Sequence, residues 1–75
     1  MKAITTKYLG PTNFRGSRIK AFDLDNNSVT LFYHHAWDSQ ENHRRAAETL
    51  KAKMGWSGNL VCGCIKNGMV WVFVD

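Results

Sequence analysis

Only one stretch of this chain has helical periodicity, and that constrains its fold more than any other feature. Between Asp38 and Gly55, the residues His43, Ala46, Ala47, Leu50 and Met54 recur at three- and four-residue steps. That spacing makes one narrow apolar stripe on a helix. Asp38 is placed as the N-cap, with Glu41 three residues on, an acidic capping-box pattern. Gly55 stands where a left-handed residue ends a helix. Glu41 with Arg45, and Arg44 with Glu48, are expected as i,i+4 pairs on the wet side. The small alanines let the helix axis lie close to whatever it covers. A single helix cannot cover both faces of a sheet, so one face is left for solvent, a ligand or another subunit.

The rest of the chain reads as strand and turn. Ala3 to Tyr8 is rich in β-formers, and Gly10-Pro11-Thr12-Asn13 stops it. Ser17 to Phe22 alternates, with Ile19 and Ala21 on one side and Arg18, Lys20 and Phe22 on the other. Asp25-Asn26-Asn27 is a turn, since Asn and Asp tolerate positive φ and bond their own backbone. Ser28 to His34 is the third strand. A three-residue loop at Asp25 to Asn27 pairs Ala21 with Leu31 and Ile19 with Tyr33. It gathers Ile19, Ala21, Val29, Leu31 and Tyr33 on one apolar face, which a one-residue slip would scramble. Asn67-Gly68 is the favoured type I′ pair between the apolar runs Leu60 to Ile65 and Met69 to Val74. Val61, Gly63, Ile65, Val70, Val72 and Val74 then share one face. Leu60, Cys62, Cys64, Met69, Trp71 and Phe73 share the other. Because both faces are apolar, this hairpin is expected to be central or covered on both sides.

The order β-β-β-α-β-β predicts an α+β domain: an antiparallel sheet of about five strands with one helix on one face. With 75 residues there is room for one core, so residues 1–75 form a single domain. Hydrophobic residues at 44% exclude a disordered tail. The longest apolar run, Met69 to Val74, is far too short to span a bilayer, and residues 1–20 hold no apolar secretory core.

Ten Lys and Arg against six Asp and Glu leave a net charge of +4. The uncovered face is expected to gather Arg18, Lys20, Phe22, Thr30, Phe32 and His34. Trp71 and Phe73 join them if the valine face of the last hairpin lies under the helix. Aromatic rings flanked by cations supply base stacking and phosphate contact to single-stranded nucleic acid. The same rings also serve as a protein-docking or self-association surface, including a homodimer through the open face. The loop Gly10 to Arg18 carries Phe14 and Arg15 at its tip, as further contact residues. It is not a Walker A loop, because no Gly-Lys-Ser/Thr follows and no helix begins after it.

Chemistry beyond binding finds little support. Cys62 and Cys64 point to one side of a strand, but structural zinc sites space their cysteines further apart. They are expected as small, reduced, buried residues. His34 and His35 alternate across a strand end, and His43 sits on the helix stripe as a core or boundary residue. No metal, cofactor or catalytic residue is assigned, and the chain is not expected to be an enzyme.

The segments K-A-I-T-T-K-Y-L-G-P-T-N, R-G-S-R-I-K-A, E-N-H-R-x-A-A-E and K-M-G-W carry a resemblance across nearly the whole chain. It is similar to a family of small proteins of unassigned function encoded by proteobacterial phages, prophages and plasmids. The resemblance implies a mobile-element origin, a place in the host cytoplasm, and action by binding a host protein or nucleoprotein complex, including defence machines. Many inhibitors of that kind are acidic DNA mimics, whereas this chain is basic. The expected function is a non-enzymatic binding protein using Phe14, Arg15, Arg18, Lys20, Phe22, Phe32 and Trp71. The alternative is direct binding of single-stranded nucleic acid through the same face.

Overall fold

The computed structural model describes residues 3–13, 16–66 and 68–74. Five strands and one helix follow in chain order: β1 (Ala3–Leu9), β2 (Arg18–Phe22), β3 (Ser28–Phe32), α1 (Ser39–Met54), β4 (Asn59–Ile65) and β5 (Gly68–Val74). The strands form one antiparallel sheet in the order β3-β2-β1-β5-β4. This is the α+β arrangement expected, with one helix on one face.

The helix is bounded as its sequence dictates. Asp38 Oδ1 accepts the Glu41 backbone N–H at 2.8 Å, and Gly55 closes the other end at φ 71°. Glu41 does not reach back to the cap. Its carboxylate takes Arg44 at 2.6 Å instead, and Glu48 stands 3.9 Å from Lys51. Both ion pairs are therefore i,i+3 rather than the i,i+4 pairs expected. Ala46, Ala47 and Leu50 are fully buried against Ile4, Ile19, Ala21, Met69 and Trp71. The two alanines bring α1 down onto β1 and β2, and its footprint extends to β3 and β5.

Both hairpins keep the expected faces in a different register. β2 and β3 pair Ala21 with Val29 and Ile19 with Leu31, two residues from the pairing expected. The turn is centred on Leu24-Asp25-Asn26, because Asp23 organises it. Asp23 Oδ1 accepts the backbone N–H groups of Asp25 and Asn27 at 2.9 and 3.0 Å, and Asn26 takes the left-handed residue at φ 66°. A shift of two preserves side-chain parity, so the apolar face is unchanged.

In the last hairpin Ile65 pairs with Gly68, so Gly68 opens β5 instead of sitting in the turn; Asn67 lies outside the described residues. Glycine is required there by close approach, since a Cβ on Gly68 would overlap the Thr6 carbonyl oxygen of the neighbouring strand. The hairpin is also neither central nor covered on both sides. β5 is internal, but β4 is an edge strand that α1 meets through Gln40, whose Nε2 donates to Cys62 Sγ at 3.8 Å.

Candidate binding face

The pairing of β1 with both β2 and β5 fixes which side chains meet on each face. Under the helix lie Ile4 and Thr6 of β1, Ile19 and Ala21 of β2, and Met69 and Trp71 of β5. Trp71 is therefore not a contact residue of the open face. It is only 3% exposed, and its indole Nε1–H donates to Thr6 Oγ1 at 3.0 Å. The helix selected the aromatic side of the last hairpin because the indole supplies more buried apolar area than a valine. Phe73 follows Trp71 onto that side, edge-on to Trp56.

His43 completes a buried polar cluster. Its Nδ1 lies 2.8 Å from Thr6 Oγ1, and that hydroxyl also approaches the Met69 carbonyl at 3.3 Å. All three contacts are satisfied together when His43 Nδ1–H and Trp71 Nε1–H donate to the hydroxyl and the hydroxyl donates to Met69. Burial lowers the His43 pKa from its ordinary value near 6.5, favouring the neutral ring. Next to it, buried Asn42 holds the loop that enters the helix. Its Oδ1 accepts the His34 N–H at 2.7 Å, and its Nδ2 donates to the His34 and Asp38 carbonyls. A lone Asn within an amphipathic helix gives no sequence signal for this role.

The opposite face has no helix. Leu9, Arg18 and Phe32 form one cross-strand row, Lys7, Lys20 and Thr30 the next, and Thr5, Phe22 and Ser28 the third. Lys7, which alternation within the first hairpin does not reach, stands directly opposite Lys20. The parity of β1, with Ile4 and Thr6 inward, is the signal that could have placed it. Every charged residue within the five strands is a cation on this face: Lys7, Arg18 and Lys20. Like charges placed directly opposite one another repel. Among the described residues, the ion pairs all lie on the helix and none includes these cations. Lys20 Nζ rests 5.6 Å from the Phe22 ring. Arg18 Nε is buried without a hydrogen-bond partner. Phe32 is 80% exposed beside Arg18. Four of the expected contact residues, Arg18, Lys20, Phe22 and Phe32, are thus gathered on one surface. Phe14 and Arg15 lie outside the described residues.

His34 leaves this face. It follows the end of β3 and stacks on Trp37 with centroids 4.2 Å apart, while Arg45 covers Trp37. On the helix side, an open groove of about 720 Å³ runs between the first turn of α1 and the β4–β5 hairpin. His43, Gln40, Cys64 and Met69 line it. Cys62 and Cys64 are both exposed free thiols, not the buried pair expected, because α1 meets this part of β4 only through Gln40. Among the described residues, no group of three or more His, Cys, Asp or Glu side chains could hold a metal ion, and no helix is long and apolar enough to cross a membrane. No family model, curated protein or solved structure matches the chain.

Proposed function

We propose that this chain is a non-enzymatic binding protein that docks its open sheet face onto a host nucleoprotein complex. One observation carries the reading: all charge within the strands is positive, gathered at Lys7, Arg18 and Lys20 on the face without a helix, with no acidic partner among the described residues. Such an arrangement costs stability in the free protein, and phosphates or an acidic surface would relieve it. Arg18 Nε, buried without a hydrogen-bond partner, points the same way. No reaction is proposed: His43, which lines the groove with exposed Cys64, has its Nδ1 engaged with Thr6 in the core. The mobile-element origin belongs to the same proposal and rests on the resemblance in the residues.

A second reading, direct binding of single-stranded nucleic acid, is favoured by Phe32, whose exposed ring stands beside a cation as a base-stacking platform does. Capture from bacterial lysate with and without nuclease, beside titration with random oligonucleotides, tests both. Capture that nuclease weakens, without tight oligonucleotide binding alone, supports the first reading. Salt-sensitive binding to oligonucleotides alone supports the second. Undiminished capture by a chain with Lys7, Arg18 and Lys20 all changed to Ser would contradict both.

A further inference from the structure

The two edges of the sheet are protected very differently. β3 is five residues long, and Lys53 of α1 places its ammonium on the Ser28 carbonyl at 3.0 Å. A charge at the edge discourages strand addition. β4 is seven residues, Asn-Leu-Val-Cys-Gly-Cys-Ile, with no charge and no proline. It pairs only with β5, so its outer backbone groups are open along its whole length. Beyond Leu60, which packs on the core, its side chains are exposed: Val61 at 48% and Ile65 at 46% on one face, Cys64 and Cys62 on the other, where Gln40 Nε2 lies 3.8 Å from Cys62 Sγ.

We propose that β4 is a self-association edge, where two copies of this chain join β4 to β4, antiparallel, into one continuous sheet. The occupant follows from charge. A chain of net charge +4 repels its own copy, and β4 is an edge where the contact carries no charge on either side. It follows also from the pattern of the strand, which is self-complementary about Gly63. Antiparallel pairing keeps opposed residues on one face. Centred on Gly63, it sets Val61 of one copy against Ile65 of the other, and Cys62 against Cys64. Aliphatic meets aliphatic on the open face and thiol meets thiol on the helix face. Neighbouring registers shift by two and break the Val61–Ile65 match. One short strand from each copy makes a small interface, so the dimer is concentration-dependent. Each copy keeps its basic rows on the same side of the joined sheet, since the two-fold axis runs perpendicular to it.

Two measurements test this on the full chain. Sedimentation over a concentration series should reach twice the 8.5 kDa chain mass. A short bis-maleimide added to the folded chain should link two copies through Cys62 and Cys64, and the same reagent added in urea should give no such dimer. Gly63→Lys is the matched variant. A Cβ at Gly63 meets nothing within 4 Å and the residue has no positive φ, so the fold accommodates a side chain there. In the dimer two ammonium groups would be brought together at the axis. The variant should melt as the parent does, sediment at the chain mass at every concentration, and give no covalent dimer. A parent chain that stays at 8.5 kDa throughout would overturn the proposal. So would a dimer that bis-maleimide cannot link, which would place the contact on the open face, or one that persists in a folded Gly63→Lys protein.

Discussion

The two ends of the sheet are built by opposite rules. Around β1, β2 and β3, one side is sealed by α1 and the other carries the strand cations in ordered rows. At β4 the helix side is covered only where Leu60 packs on the core and Gln40 meets Cys62, the other side is open, and no charge is present. Both edge strands are paired antiparallel along their full length, so the absence of backbone pairing does not distinguish them. The distinction comes from the helix. Its alanines fit it closely over β1 and β2, and a single helix placed there cannot also cover the far edge.

The sharpest test of that contrast compares truncation at the two ends. Leu50 is fully buried, and Leu50→Ala should cost about 2–5 kcal/mol, enough to unfold much of a small domain. Val61→Ala on β4 should change stability by no more than about 0.5 kcal/mol. Chemical denaturation checks both, and similar losses would mean that β4 is covered.

A smaller effect separates two glycines of the last hairpin. Gly68→Ala drives a methyl group into the Thr6 carbonyl and should cost about 1–3 kcal/mol. Gly63→Ala finds open space and should be neutral or stabilising by about 0.5 kcal/mol. Thermal melts of the two variants should move in different directions.

These contrasts mark where the sequence was legible. Helix limits were readable at Asp38 and Gly55 because caps act locally. The faces of each hairpin were readable because parity survives a register shift of two. Register itself was not, since it depends on Asp23 bonding across its turn and on the close approach of Gly68 to Thr6. Of the candidate site, Arg18, Lys20, Phe22 and Phe32 were legible from alternation within one hairpin. Trp71 was misplaced and Lys7 missed because each depends on β1 lying between β2 and β5, a contact distant in sequence. The exposure of Cys62 and Cys64 depends on where the helix ends laterally, and strand composition is silent on that.

The buried cluster under α1 gives a third, milder test. The His43 pKa is lowered in the fold, so the unfolded chain binds more protons on acidification. Stability from this group is complete above about pH 6.5 and declines as pH falls below it. Melting temperature should therefore plateau above that pH and drop between it and about pH 5, before carboxylates titrate. In His43→Gln the drop should be absent. Nothing comparable is expected of the open face, where Arg18→Ser with Lys20→Ser should leave the melting temperature unchanged or slightly raised as cation repulsion is relieved.

The central claim is that the cation rows of β1 and β2 are the binding surface, and salt dependence tests it most directly. Binding of the parent chain to its captured complex, or to single-stranded oligonucleotide, should weaken steeply as salt rises. With Lys7, Arg18 and Lys20 all changed to Ser, the fold should persist and the log–log slope against salt should flatten by about two units, as expected for three lost phosphate contacts. A folded triple variant with the parental slope and affinity would contradict the account and remove the open face as the binding surface.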